Sequence, residues 1–230
     1  MSIINSKEIN VLRQLRTIAS DHASAALASS LGAEDMVLTD MIDRHAINIE
    51  IFTLDTGRLP EQTYQLMAQM RERYAVPLVV YAPEASGLET YATDNSPNAF
   101  YESVALRREC CYIRKVKPLK RALAGRRAWI TGQRREQSPV RQDLPFEERD
   151  AENGLAKFNP LADWSGEEVW TYIHHHSVPT NTLHDIGYAS IGCAPCTRAI
   201  KPGEDERAGR WWWEEPEHKE CGLHVRGQSS

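Results

Sequence analysis

The sequence predicts an α/β fold: a twisted parallel sheet with helices on both faces, followed by a cysteine-bearing extension toward the C-terminal end. Apolar, β-branched segments alternate with amphipathic segments through residues 20–180, which is typical of strand–helix–strand units. Several of the apolar segments end at turns that contain glycine. From residue 181 onward the periodicity is lost, and Cys, Gly and Trp become frequent. We therefore expect one domain over 1–230, made of an α/β core at 20–180 and an extension at 181–230.

The first part of the core contains two strand–helix units. Residues 24–33 (ASAALASSLG) are apolar and end in a Ser/Gly turn, which predicts a buried strand. Residues 34–45 then have the apolar spacing of a helix. Residues 47–57 (INIEIFTLDTG) are β-branched, alternate in polarity and stop at a Gly turn, which predicts a second strand. Residues 60–74 begin with Pro and keep a period of about 3.6 residues, which predicts a second helix.

The second part of the core continues this alternation. Residues 76–83 (VPLVVYAP) predict a third strand, 103–123 a long helix and 127–134 (RAWITGQR) a further strand. Residues 165–176 open with Ser followed three residues later by Glu, a capping box that begins a helix. Ligands of such sheets bind beyond the carboxyl ends of the strands, next to helix N-termini. The turns SSLGAED, TLDTG and TGQRREQSPVR all fall at this edge.

The composition is typical of a globular protein. The 230 residues are 41% apolar and 26% charged, and both values are ordinary for such chains. No run of 18 or more apolar residues occurs, so we expect no membrane span. The segment MSIINSKEINVLRQL lacks the basic, apolar and small-residue regions of a signal peptide. We expect a cytoplasmic location, where thiols stay reduced and structural disulfides are rare.

The charge of the chain is distributed unevenly. Residues 107–141 hold twelve Lys and Arg against two Glu, a net charge of +10, so that the overall charge of −5 leaves −15 elsewhere. A solvated basic face, a small polyanionic ligand and nucleic acid are the three interpretations. Because duplex binding normally needs a basic surface across the domain, the acidic remainder argues against nucleic acid. A compact anionic ligand is favoured.

Four of the five cysteines form two close pairs, Cys110–Cys111 and Cys193-x-x-Cys196. A cubane iron–sulfur cluster, a zinc site and simple buried thiols all remain open from the residues alone. Neighbouring side chains on a helix diverge by about 100°, which suits a cluster with four separate irons better than one tetrahedral ion. The spacing therefore favours a cluster. Lys115 follows Cys111 by one helical turn, where its ammonium would offset a negatively charged site.

The fifth cysteine, Cys221, stands alone near the C-terminal end. An odd number of cysteines cannot be fully paired, and a thiol in a reducing compartment is better interpreted as a ligand or a catalyst than as half of a disulfide. The thiolate is the reactive form of cysteine. Docking of Cys221 beside basic side chains would favour that form where an anionic substrate binds.

The ordered motifs SSLGAED, FTLDTG, RRECCYIRKVKPL, TGQRREQS, FNPLADWS, GCAPCTR and KECGLH resemble the adenylyl-/phosphoadenylyl-sulfate reductase family, and its iron–sulfur branch in particular, over about residues 25–225. The resemblance implies an adenine-nucleotide α-hydrolase-like fold. It also implies thiol-dependent reduction of adenosine 5′-phosphosulfate (APS) to sulfite and AMP, in sulfate assimilation and cysteine biosynthesis. Thioredoxin or a glutaredoxin-like protein would renew the enzyme, and a homo-oligomeric state stays open.

The resemblance also assigns roles to individual residues. Cys221 would be the nucleophile that forms an S-sulfocysteine intermediate, and His224 would belong to the same mobile catalytic tail, while the extension before it would bind the cluster. A [4Fe–4S] cluster would be held by Cys110, Cys111, Cys193 and Cys196. Basic positions around the phosphosulfate would be Lys115, Arg141, Arg207 and Arg210. Adenosine contacts would come from the SSLG and LDTG turns, at Ser29, Ser30, Gly32, Leu54 and Asp55.

Three alternatives accompany this hypothesis. The first keeps the chemistry and changes the substrate to the 3′-phosphorylated nucleotide, phosphoadenylyl sulfate (PAPS). The second is a zinc-stabilised nucleic-acid-binding module built on the basic stretch. The third is an ATP-using enzyme on the same fold. Related ATP pyrophosphatases have a Ser-Gly-Gly-x-Asp-Ser loop, whereas this chain has Ser-Ser-Leu-Gly-Ala-Glu-Asp, which argues against ATP.

Overall fold

A computed structural model of the chain describes residues 3–138 and 141–215, with side chains from residue 6 onward. Its centre is a six-stranded sheet in the order β3-β2-β1-β4-β6-β5. The strands are β1 (Ala26–Ala28), β2 (Glu50–Leu54), β3 (Leu78–Tyr81), β4 (Ala128–Ile130), β5 (Glu147–Asp150) and β6 (Leu155–Phe158). The helices are α1 (Ile3–Asp21), α2 (Ala33–Arg44), α3 (Glu61–Arg73), α4 (Ala85–Asp94), α5 (Val104–Cys111), α6 (Lys117–Leu123) and α7 (Gly166–His176). Short 3₁₀ turns occur at Ala99–Tyr101, Arg135–Gln137, Thr182–Ile186 and Ala194–Cys196.

The predicted α/β class and its helix-covered sheet are confirmed. Strands β3, β2, β1, β4 and β6 are parallel, and β5 pairs antiparallel with β6 at one edge. The larger core cluster joins α1, α2 and α7 to one face, for example through Leu15, Met36 and Tyr172. The other face packs against α6, where Leu119 and Leu123 meet strand residues. Apolar burial on both faces explains why the central strands contain almost no polar side chains.

The sheet has a topological switch point between β1 and β4. Chain order runs from β1 outward to β2 and β3 on one side, and from β4 outward to β6 on the other. The loops that follow β1 and β4 therefore diverge and leave a crevice at the carboxyl ends of the strands, which is where such sheets bind ligands. Ser29 begins one of these loops and Thr131 begins the other.

The predicted helix over 103–123 is present but contains a wider turn. α5 passes without a break into a π-helical turn, Tyr112–Val116, which continues as α6. Pro118 lies at the start of α6 and lacks the N–H that would continue the α-helical ladder. A π turn, with its i→i+5 bonds, changes the direction of the following side chains and often occurs at functional sites. It lies directly after Cys111.

The capping box predicted at residue 165 is present. The Ser165 hydroxyl accepts a hydrogen bond from the Glu168 backbone N–H (3.1 Å), and the Glu168 carboxylate accepts one from the Ser165 N–H (2.8 Å). Lys7 of α1 pairs with the same carboxylate at 2.7 Å. Among the residues that the structure describes, no helix has the length and apolar character needed to cross a membrane.

We expect Ser165→Ala to lower the free energy of unfolding by about 1 kcal/mol, because an N-terminal N–H of α7 loses its acceptor. Urea unfolding followed by circular dichroism measures this as a lower midpoint at constant slope. Ser86→Ala, at an exposed position within α4, is the matched control and should change stability by less than about 0.5 kcal/mol. Equal midpoints for the two variants would contradict the role of the cap.

Candidate active site

A cavity of about 220 Å³ lies at the switch point of the sheet. Its walls come from the turns after β1, β2 and β4, from the N-terminal turn of α2 and from the extension at 189–192 and 206–211. Eight of the predicted ligand-contacting residues line it: Ser29, Ser30, Gly32, Leu54, Lys115, Arg141, Arg207 and Arg210. The cavity therefore brings together residues that are up to 183 positions apart in the chain, from Ala28 to Trp211.

The turn after β1 is held in shape by a buried carboxylate. Asp35 Oδ2 accepts hydrogen bonds from the Ser30 N–H and hydroxyl, both at 2.7 Å, and Oδ1 accepts one from the Gly132 N–H at 3.1 Å. Burial raises the pKa of Asp35 to about 6, although the hydrogen bonds from Ser30 oppose that rise. Leu31, within this turn, has a left-handed backbone (φ 62°) and is buried. Strain of this kind concentrates at ligand-binding loops.

Asp55 lies beside the cavity rather than in its described wall. Its carboxylate accepts hydrogen bonds from the Gly57 N–H and the Tyr64 hydroxyl, both at 2.8 Å. These bonds fix the turn after β2, whose residues Leu54 and Thr56 do line the cavity. The contact predicted between Asp55 and adenosine therefore has no direct counterpart in the cavity wall, and the structure assigns this side chain to the turn itself.

The basic stretch at 107–141 does not form one surface. Arg107 and Arg134 are buried, Arg126 pairs with Glu50, and Lys115 and Arg141 line the cavity. Positive charge in the cavity comes from Lys115 and Arg141 together with Arg207 and Arg210 of the extension. This distribution fits the small anionic ligand that the sequence favoured, since nucleic acid would need an open basic face.

A second, acidic part of the wall was not found from the sequence. Arg134, 2% exposed, donates from Nε to Glu34 (2.8 Å) and from Nη2 to Glu206 (3.3 Å). Burial raises the pKa of Glu206 despite the nearby Arg134 charge. Glu34 and Glu206 both line the cavity. Their pairing partner lies 100 positions from Glu34, so no local pattern indicates it.

All four paired cysteines line one small cavity next to the first. Cys110, Cys111, Cys193 and Cys196 are each at most 9% exposed. The wall also contains four cationic side chains, Arg58, Arg107, Arg114 and Lys115, together with Phe100 and Pro195. Lys115 also lines the larger cavity, so a single ammonium lies between the two sites. The predicted proximity of Lys115 to the cysteines is thus present.

The four thiols differ in their surroundings. Burial opposes ionisation of Cys193, but the charge of Lys115 and a hydrogen bond with the Thr56 hydroxyl (3.2 Å) outweigh it, so its pKa is lowered. Burial raises the pKa of Cys196 to about 12 and also raises that of Cys110. Arg114 donates to the Thr56 carbonyl at 2.6 Å, which ties the turn after β2 to the cysteine-bearing helix.

The four thiols share one small cavity. Across 3–138 and 141–215, no group of three or more Cys, His, Asp or Glu side chains converges closely enough to hold one metal ion. Four thiols nevertheless surround one cavity, as a cubane with four separate irons requires. The surrounding cations would offset the negative charge of such a group.

Comparison with known proteins matches this chain to a family. The model described as "Phosphoadenosine phosphosulfate reductase domain" matches residues 24–199. The chain belongs to this family. The expected family resemblance is confirmed by curated relatives that are each called adenosine 5′-phosphosulfate reductase. The protein from Allochromatium vinosum is 54% identical over 96% of this chain and 86% of its own length, and that from Neisseria meningitidis serogroup B is 51% identical over 92% and 87%.

Solved structures support the same family fold. The phosphate complex of phosphoadenylyl-sulfate reductase from Candida auris has a TM-score of 0.71 at 27% identity, over 87% of this chain and 98% of that one. Yeast FAD synthetase has a TM-score of 0.54 at 14% identity, over 86% and 69%. The second likeness shows the fold alone, and it agrees with the predicted adenine-nucleotide α-hydrolase-like class.

Two predicted catalytic residues of this family member, Cys221 and His224, lie outside the described residues. The structure describes the extension up to residue 215. Within that part, Arg210 is 6% exposed, and its guanidinium lies 4.7 Å from the centre of the Trp211 ring. The Trp211 backbone N–H donates to the Cys196 carbonyl at 3.2 Å. Trp211 therefore lines the larger cavity and packs in the same cluster as the four cysteines.

We expect Gly132→Ala to weaken binding of AMP by roughly fivefold to 150-fold, because overpacking costs roughly 1–3 kcal/mol. A Cβ at this position would lie 2.5 Å from Asp35 Oδ1 and 2.8 Å from Glu34 Cβ, so the turn that lines the cavity must move. Isothermal titration with AMP measures the change. Gly166→Ala, whose Cβ would meet only ordinary contacts, is the control and should bind AMP normally. Unchanged AMP affinity in Gly132→Ala would disprove the tight fit.

Proposed function

We propose that this chain is an oxidoreductase that reduces APS to sulfite and AMP through an S-sulfonated Cys221. The observation that carries the proposal is the cavity at the switch point, in which four basic side chains meet and one of them, Lys115, also reaches the cysteine site. The names of the curated relatives support APS reduction, which is a step of sulfate assimilation and cysteine biosynthesis.

Two different parts of the cavity wall can bind the two parts of the nucleotide, adenosine and the phosphosulfate. The turns after β1 and β2 offer backbone groups and small side chains to adenosine, at the edge of the sheet where nucleotides bind. The N-terminal turn of α2 adds the positive end of a helix dipole. Lys115, Arg141, Arg207 and Arg210 would then contact the phosphosulfate, whose charge requires several donors in a partly buried site.

The basic side chains can also lower the electrostatic barrier to attack by a thiolate. A thiolate that approaches a sulfuryl group meets charged oxygens, and Coulomb repulsion raises the barrier. Cations fixed around those oxygens lower it, and they stabilise the charge that develops on the departing phosphate. Lys115, Arg207 and Arg210 are the residues we propose for this role. The same charges favour the thiolate of Cys221 when it enters the cavity.

The proposed steps balance as follows. The Cys221 thiolate attacks the sulfuryl sulfur, a sulfur–sulfur bond forms, and the sulfur–oxygen bond to phosphate breaks with its electron pair left on AMP. A thiolate of an external dithiol protein then attacks the Cys221 sulfur and releases sulfite. The second thiol of that protein resolves the mixed disulfide and regenerates Cys221. The dithiol, for which we propose thioredoxin or a glutaredoxin-like protein, supplies both electrons in the cytoplasm.

We further propose that Cys110, Cys111, Cys193 and Cys196 hold a [4Fe–4S] cluster. Support comes from the single cavity that all four thiols line and from the cations around it. When bound, such a cluster would change the electrostatic potential next to Lys115. The reaction does not require it to accept electrons, because the dithiol provides them. Lys115 would orient the phosphosulfate on one side while it balances thiolate charge on the other.

APS is favoured over PAPS as the substrate. The curated relatives named above are APS reductases at more than half identity, whereas the PAPS reductase from Candida auris is 27% identical. Glu34 and Glu206 also line the cavity, and carboxylates disfavour an additional phosphate nearby. The PAPS alternative uses the same covalent step. The adduct assay described next can therefore be run with either nucleotide to distinguish the two substrates.

We expect single-turnover reaction of APS without reductant to leave an adduct of about 80 Da on Cys221. Cys221→Ser should form neither the adduct nor sulfite, because the hydroxyl is a far weaker nucleophile. Intact-mass and peptide mass spectrometry measure both. Sulfite production by Cys221→Ser would overturn the covalent route. The same assay with PAPS tests the substrate, and a preference above about tenfold in kcat/KM for PAPS would reverse our choice.

We expect the anaerobically purified protein to be brown and to contain about four iron and four sulfide per chain. Cys193→Ser should lower the iron content strongly, because one thiolate ligand is lost. Cys221→Ser removes a cysteine that we place outside the cluster and should keep full iron, which makes it the matched control. A colourless protein with one zinc per chain would reject the cluster.

A further inference from the structure

Arg107 is a fully buried charge that the proposed reaction does not use. It lies on α5, one helical turn before Cys110 and Cys111, and its side chain is 0% exposed. Nε and Nη2 donate to the two carboxylate oxygens of Glu214, at 2.8 and 2.6 Å. The Glu214 side chain is 3% exposed. This bidentate geometry fixes both partners in distance and orientation.

The same guanidinium connects three parts of the site. It hydrogen-bonds the side chain of Cys111 and lies 4.8 Å from the centre of the Trp211 ring. Arg210, whose side chain lines the nucleotide cavity, contacts the same ring at 4.7 Å. The Glu214 N–H donates to the Trp211 carbonyl at 2.9 Å. Arg107 and Glu214 are therefore the point at which the extension is joined to the cysteine-bearing helix.

The contact between Arg107 and Glu214 is relevant to function because Glu214 lies shortly before Cys221 in the chain. Cys221 follows Glu214 by seven residues, which span at most about 25 Å when fully extended. We propose that the Arg107–Glu214 ion pair is the fixed point from which the segment carrying Cys221 starts, and that it positions the thiol for the nucleotide cavity. Glu214 is thus a positioning residue, and the inference rests on the proposed role of Cys221 as nucleophile.

A buried ion pair suits this role better than apolar contact would. It contributes little net stability, because desolvation offsets the attraction between the charges, but it specifies one geometry. Displacement of a reacting group by about 1 Å can cost roughly 100-fold in rate. Because this pair holds Glu214 in one place, the chain that leads to Cys221 starts from one defined position.

The test uses full-length, cluster-containing protein with Glu214→Gln and Glu214→Asp. Gln keeps the shape and removes the charge, whereas Asp keeps the charge and shortens the side chain. We expect the first-order rate of adduct formation at saturating APS to fall at least about tenfold in Glu214→Gln, with a smaller fall in Glu214→Asp. The Kd for APS, measured in a Cys221→Ser background, should stay within about twofold. Iron per chain should be unchanged.

Glu215→Gln is the matched control, since the neighbouring carboxylate is exposed and its loss changes the net charge equally. It should form the adduct at the parental rate. Adduct formation at the parental rate in both Glu214 variants would refute the positioning role. So would a rise in the Kd for APS that accounts for the whole effect. If the parent protein itself forms no adduct on Cys221, the proposed nucleophile fails instead, and the two failures are distinguishable.

Discussion

The structure depends on one electrostatic constraint: two sites that suit negative charge lie next to each other, and cationic side chains line both of them. The nucleotide cavity and the four-cysteine cavity share Lys115 in their walls. Arg58, Arg107 and Arg114 surround the thiols from the other sides. Burial of thiolates and of a phosphosulfate is costly unless each charge has a partner. A single helical segment from Val104 to Leu123 supplies three of the four cations around the thiols, Arg107, Arg114 and Lys115.

The sheet provides the second requirement, a rigid place for the nucleotide. The crevice between β1 and β4 follows from strand order, but its shape depends on Asp35, which ties Ser30 to Gly132 across it. Burial of that carboxylate raises its pKa to about 6, so ionisation is costly and has to be offset by the hydrogen bonds it accepts. The fold therefore pays some stability for a fixed turn, as ligand-binding loops commonly do.

Local patterns were sufficient for the elements with strong periodicity, including the strands near residues 51, 79 and 129 and the capped helix at 165–176. They missed α1, α4, β5 and β6, and they did not reveal the π turn. A short edge strand such as β5 forms because it pairs with a neighbouring strand, here β6. Lys157 in β6 can be buried because its ammonium forms an ion pair with Glu148 and donates a hydrogen bond to Gln133. Eight of the cavity-lining residues were found by motif. Arg134 and Glu214 were not, because each is defined by a partner at least 100 positions away.

The extension links these separate features into one mechanism. Residues 193–196 supply two thiols, and residues 206–211 supply cavity wall. Trp211 has a left-handed backbone (φ 42°), is buried, and is contacted by Arg107 on one hand and Arg210 on the other. A movement of the cysteine-bearing helix would therefore reach both the nucleotide cavity and the start of the Cys221 segment through packed side chains. α5 and the extension meet at a buried ion pair, whose two parallel hydrogen bonds fix how these segments lie relative to each other. Because the pair is buried, salt screens the attraction between its charges only weakly.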